Sequence, residues 1–149
     1  MKTIFCAMMI AMTFVTATVA ENLWGTNFEA AKEAAAERGV PILVDFTGSD
    51  WCGWCIRLKE EVFEKDAFLE YAKENLVLLE LDFPMQTELP EELREQNEEL
   101  RERYQIRGFP TILLLDAEGE ELARTGYQAG GPEKYIEHLQ ELLADSDED

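Results

Sequence analysis

Val40-Pro41-Ile42-Leu43-Val44-Asp45-Phe46-Thr47-Gly48-Ser49-Asp50-Trp51-Cys52-Gly53-Trp54-Cys55 is the stretch on which the fold turns. Val40 to Phe46 is almost wholly apolar, as a parallel strand covered on both faces must be. A polar loop follows, Thr47 to Asp50. Ile56 to Phe63 then repeats apolar residues at helical spacing. The two cysteines therefore stand three apart at a strand-to-helix junction, where such a pair reads as a redox site. Cys52 falls at the helix N-terminus, where unpaired N–H groups and the helix dipole favour a thiolate. Cys55 lies one turn on, within bonding reach of Cys52.

Outward from the motif, the chain alternates strands and helices. Phe28, Ala31 and Ala35 mark a helix. Thr26 is its expected cap, with Glu29 reaching back, and Gly39 and Pro41 end it. No strand is expected ahead of this helix. Trp24 reads as a packing anchor beside the cap. Asp66 is expected to cap a second helix over 67–74. Leu76 to Leu81 reads as a buried strand ending at Asp82. Residues 88–103 hold seven Glu and three Arg. Leu89, Leu93, Leu100 and Tyr104 leave a thin apolar stripe there, which describes an exposed helix. Its charged side reads as a solvated face, or alternatively as a docking surface. Thr111–Leu115 and Glu120–Tyr127 flank a turn at Asp116-Ala117-Glu118-Gly119 and read as a hairpin. Gly130-Gly131-Pro132 opens a last helix with Tyr135, Ile136, Leu139, Leu142 and Leu143 on one face.

The termini are different material. Lys2, the apolar run Ile4 to Val15 and the small residues Thr18-Val19-Ala20 have the layout of a secretory signal peptide over 1–20. An uncleaved anchor is the other reading, but the apolar run is short for one. The domain then occupies 21–144, and 145–149 is an acidic tail. Cleavage removes Lys2 and Cys6. The net charge goes from −19 to −20, and two of the three cysteines remain. So acidic a chain disfavours nucleic acid and anionic membranes as partners. Export implies an oxidising compartment, secreted or periplasmic.

Three segments together carry a family resemblance: Asp45 within Ile42–Phe46, Trp51-Cys52-Gly53-Trp54-Cys55, and Tyr104-Gln105-Ile106-Arg107-Gly108-Phe109-Pro110-Thr111. The chain resembles the thioredoxin superfamily over residues 24–143, and within it the small secreted bacterial disulfide reductases. The resemblance implies an α/β fold: a four-stranded mixed sheet in the order 76–82, 40–46, 111–116, 120–127, with helices on both faces. It implies a thiol–disulfide oxidoreductase acting as a monomer on protein disulfides, without a cofactor or metal, and supplied by a membrane thiol-transfer donor.

It also implies roles. Cys52 would be the exposed nucleophile and Cys55 the buried resolving thiol. Asp45 would relay protons to Cys55. Pro110 would be a cis-proline that places the Phe109 backbone beside Cys52 for an extended substrate. Trp51 and Trp54 would form a docking rim, or else pack only locally. Two departures stand out. The loop from Asp45 to the motif is one residue longer than usual, and strand 76–82 carries Glu80 where a lysine often partners the buried acid.

Other uses of these residues fit less well. A static disulfide closing so small a loop constrains the unfolded chain little. Two cysteines and the single His138 fall short of a zinc site. His138, beside Leu139, reads as a solvated surface residue, and no acid or serine is placed to make it part of a hydrolase. An oxidase or isomerase would use the same pair in the other direction. Strong oxidants of the superfamily carry His between the cysteines, and Gly53-Trp54 stands here instead, which tilts the reading towards a reductase. A binding module that kept the fold without the chemistry is the remaining alternative.

Overall fold

A computed structural model describes residues 22–146. The expected signal peptide and the last three residues of the acidic tail lie outside them. The order of elements is β1 (Trp24–Gly25), α1 (Phe28–Arg38), β2 (Ile42–Thr47), α2 (Gly53–Leu58), a π-helical turn (Lys59–Phe63), α3 (Asp66–Asn75), β3 (Val77–Asp82), α4 (Glu91–Arg103), β4 (Thr111–Leu115), β5 (Glu121–Thr125) and α5 (Gly131–Ser146). The sheet runs β1-β3-β2-β4-β5. β1, β3 and β2 are parallel, while β4 and β5 are antiparallel to their neighbours.

The period-2 alternation of the central strands sends their side chains to two separate cores. Ile42, Val44 and Phe46, with Leu79, Leu81, Leu113 and Leu115, meet Phe28, Ala31 and Ala35 of α1 and Leu100 of α4. Leu43, Leu78, Ile112 and Leu114 face the other way, against Leu58, Val62, Phe63, Phe68, Tyr135 and Leu139. Every residue of β2 is buried, including Asp45 and Thr47. A continuous apolar run therefore marks the sheet centre, as the sequence suggests.

The expected strand order is observed, with a fifth strand added. β1 pairs Trp24 with Leu78 and Gly25 with Leu79 at the far edge of β3. Two residues are too few to show an alternating pattern. Pairing holds this strand, together with the Trp24 ring packed 5.1 Å from Phe63.

Local differences have local causes. Asn27, not Thr26, caps α1, and its side chain accepts from Ala30 N. Glu29 turns aside to Lys32, 2.9 Å away. Gln96 of α4 supplies the remaining contacts: it accepts from Phe28 N at 3.0 Å and donates to the Thr26 carbonyl at 2.9 Å. α3 begins at Asp66 itself, with Lys65 at the cap position and no side-chain cap. α5 runs to Ser146, into the segment read as tail. His138 is half-buried, with Nε2 2.8 Å from Thr125 Oγ1, because α5 lies directly on β5 there.

Candidate active site

β2 ends at Thr47, and the chain crosses to α2 in five residues. That crossing is clamped to the segment after β3. The Asp82 carboxylate accepts from both Ser49 N and Ser49 Oγ. Asp50 accepts from three successive amides, Met85, Gln86 and Thr87, at 2.8 to 3.0 Å. Trp51 Nε1 donates to the Phe83 carbonyl at 2.7 Å, and Cys52 N donates to the Gly48 carbonyl at 2.9 Å. The Trp51 ring lies so close over Gly48 that a Cβ there would collide with it. A hydrogen-bonded turn thus holds the loop between β2 and α2.

Asp50 illustrates the electrostatics of that clamp. The Met85 amide, with Gln86 and Thr87 behind it, holds the Asp50 carboxyl below its ordinary value. A carboxyl depressed in the folded state stabilises above its unfolded value, and the contribution is lost as pH falls through the folded value. Asp50→Ala is therefore expected to speed hydrogen exchange at the Met85, Gln86 and Thr87 amides at neutral pH. The parent should show the same loosening only in acid. Unchanged exchange in the variant would show that the loop holds without the carboxylate.

Cys52 and Cys55 are disulfide-bonded, with Cα atoms 5.3 Å apart. Cys52 is the N-cap residue of α2, and its Sγ accepts from Cys55 N at 3.2 Å. This is the helix-terminus position expected from the spacing. The expected contrast in exposure is a correction: Cys52 is 6% exposed and Cys55 3%, so both are buried. What stands open around them is aromatic. Trp51 and Trp54 are 42% and 55% exposed.

The two tryptophans belong to two different clusters. Trp51 meets Phe109 edge-on at 5.7 Å, and Phe109 meets Phe83 at 5.2 Å. This cluster borders a groove of about 550 Å³ that continues past Met85 and Leu89 to Arg94 of α4. Trp54 packs on Tyr127 at 5.0 Å, with the Arg57 guanidinium over both rings. Glu61 fixes that arrangement, accepting from Tyr127 OH and Arg57 Nε, both at 2.6 Å. Each tryptophan therefore packs locally and still presents a broad exposed face. The Phe109–Pro110 peptide is cis, and both residues are half-buried at the start of β4.

Asp45 is 5% exposed, and its Oδ1 has no hydrogen-bond partner. Burial raises its carboxyl well above the ordinary range. Glu80 adds to this, Lys59 opposes it, and Asp82 adds again. Lys59 stands four residues after Cys55, and its N–H donates to the Cys55 carbonyl. Residues four apart share a helix face. Asp45 and Lys59 line one cavity, and Lys59 stands one turn beyond Cys55.

Lys59 Nζ lies 3.8 Å from Glu80 Oε2. Glu80 stands out in the sequence as an acid in an apolar strand, whereas the only sequence signal for Lys59 is its i+4 spacing from Cys55. The Arg57–Glu61–Tyr127 ladder leaves no such signal, because its members come from α2, the π turn and the segment after β5.

The family model of the thioredoxin-like domain matches residues 28–143. The chain belongs to the thioredoxin-like family. It is 38% identical over 124 residues to the disulfide bond reductase DsbH of Chlamydia pneumoniae, covering 83% of this chain and 75% of that one. It is similar to a solved structure titled DsbH oxidoreductase, with a TM-score of 0.78, 35% identity, and 90% and 95% of the two chains covered. The thioredoxin-related protein DsbJ of the same organism is 28% identical over 83% of this chain, which spans 37% of that longer protein. Family membership, fold and the bonded pair at the start of α2 make this thioredoxin-like chain a thiol–disulfide oxidoreductase.

Proposed function

We propose that the chain is a reductase of protein disulfides in an exported compartment, secreted or periplasmic. The observation that carries this reading is Cys52 at the N-cap of α2, bonded to Cys55 one turn inside. The reduced pair offers a thiolate where helix N–H groups converge. That thiolate attacks one sulfur of a substrate disulfide, forms a mixed disulfide and expels the other sulfur as a thiolate, which takes a proton from water. Asp45 accepts the proton of Cys55. The Cys55 electron pair then attacks Cys52 Sγ, closes the Cys52–Cys55 bond and releases the second substrate sulfur, which takes a proton from water. The substrate gains two electrons and the cysteine pair loses two.

Trp51 and Trp54 flank the pair along the chain, Phe109 packs on Trp51 and the cis Pro110 follows it; these four are the proposed substrate contacts. Exposed aromatic faces suit an unfolded or extended polypeptide, since they contribute apolar area at small entropic cost. Similarity to a protein named as a reductase supports the direction of electron flow. A membrane thiol-transfer protein is the proposed donor, and the monomer is the proposed working form. Two measurements test the direction. The chain is expected to accelerate insulin reduction by dithiothreitol and to have a potential near that of thioredoxin, roughly −270 mV. A potential near roughly −120 mV would make it an oxidase. No acceleration at all would leave a binding module.

A further inference from the structure

β2 and β3 pair in register, with Asp45 opposite Glu80 and Thr47 opposite Asp82. In parallel strands paired this way, opposite residues project to the same face. The face is the one beneath the catalytic helix, since Leu43 and Leu78, two residues before Asp45 and Glu80, pack against Leu58 and Phe63. Three carboxyls thus stand side by side under α2. Asp82 is engaged by Ser49. Asp45 has no partner at Oδ1, and Glu80 reaches towards Lys59.

A cavity of about 400 Å³ joins these groups. Asp45, Glu80 and Lys59 line it, with Trp24, Phe63 and Glu64 around them. Lys59 begins the π turn that ends the catalytic helix, and π-helical turns are frequent at functional sites. The Lys59–Glu80 pair is half-exposed on the lysine side and 3.8 Å long, so it adds little to stability. Its position between a buried acid and solvent gives it a different use.

We propose that Glu80 and Lys59 are positioning residues that set, from opposite sides, the pH at which Asp45 exchanges its proton through this cavity. Glu80 places a negative charge beside Asp45 and favours the protonated acid. Lys59 places a positive charge on the same side and favours the carboxylate. The groups facing Asp45 are Glu80 and Asp82 from β3, Lys59 from the π turn and Tyr135 from α5. Tyr135 is neutral there, because burial and then Asp45 push its hydroxyl up, and it donates to the Gly126 carbonyl at 2.9 Å. Lys59 is therefore the one cation in the set. The balance between it and Glu80 places Asp45 where a proton can be both taken from Cys55 and passed on.

The inference rests on Asp45 acting as the base for Cys55, and the experiment separates the two. The carboxyl carbon of Asp45 is titrated by NMR in the oxidised full chain, in the parent, Glu80→Gln and Lys59→Met. The pH dependence of mixed-disulfide resolution is followed in the same proteins by stopped-flow fluorescence of the tryptophans. Glu80→Gln is expected to move both midpoints to lower pH, and Lys59→Met to move both to higher pH. A purely structural role would not give opposite signs. Midpoints that stay put in both variants, or move the same way, overturn the proposal. Lys59 is exposed enough that its variant reports even if Glu80→Gln folds poorly. If Asp45→Asn resolves mixed disulfides at the parental rate, the base reading itself fails, whatever the titration midpoints do.

Discussion

Cys55→Ser is expected to trap the chain on its substrates, while Cys52→Ser is expected to lose all attack on them. The difference follows from where α2 begins. Cys52 is the N-cap residue, its Sγ already accepting a backbone N–H in the bonded form. Once reduced, its thiolate keeps that partner and the favourable end of the helix dipole. Cys55 sits one turn inside and is itself the donor of that N–H. Iodoacetamide at neutral pH should therefore label Cys52 first. Both cysteines are buried to a similar degree in the oxidised form, so the preference is expected to follow electrostatics and not exposure. Non-reducing gels of the Cys55→Ser variant with a disulfide substrate should show stable mixed disulfides. If only Cys52→Ser traps partners, the roles are inverted. If neither traps and both unfold alike, the bond is merely structural.

The parts of this site that were legible in the sequence are those that depend on order along the chain. An apolar run, a short loop, two cysteines and a helical repeat place the redox pair at the start of α2 because backbone periodicity leaves few other arrangements. Pro110 and Phe109 could be assigned through the resemblance. What stayed hidden depends on which elements meet. β1 is two residues long and exists because β3 offers it an edge. Gln96 and Asn97 interrupt the stripe of α4 as polar residues, yet Gln96 finishes the start of α1 and the buried Asn97 donates to the Asp82 carbonyl. The Glu-rich helix is thus tied inward by amides while its carboxylates face out. The burial of Cys52 also escaped, since it depends on the surrounding fold and not on the spacing of the motif.

Asp45→Asn is expected to slow one chemical step and to stabilise the fold, and the two effects share one cause. The carboxyl is buried, unpartnered at Oδ1, and raised above its ordinary range by burial first, then by Glu80 and Asp82 against Lys59. The folded chain therefore holds a proton that the unfolded chain releases at the same pH. Such a group contributes fully to stability below the unfolded value, and the contribution is lost as pH rises through the raised folded value. Asparagine does not ionise. At pH 8 the variant should be the more stable of the two, because the parent must either ionise in the core or hold a proton that solution would take. A domain of this size registers about 1 kcal/mol as several degrees in Tm. Around pH 4 the gain should shrink towards zero, because the parent is then protonated as well. Thermal unfolding of the oxidised proteins across this range measures it.

The same substitution removes the acceptor for the Cys55 proton. Resolution of the mixed disulfide should slow by about a hundredfold near neutral pH, within the usual range for a general base. Formation of the mixed disulfide depends on Cys52 and should change little. The gap should close in alkaline solution, where hydroxide ionises Cys55 directly. A variant that is more stable yet equally fast in both steps would leave Asp45 a buried charge without a catalytic part. A variant slower in both steps alike would point to a displaced α2. Only a stabilised fold with selectively slow resolution matches a carboxyl kept buried for the proton it carries.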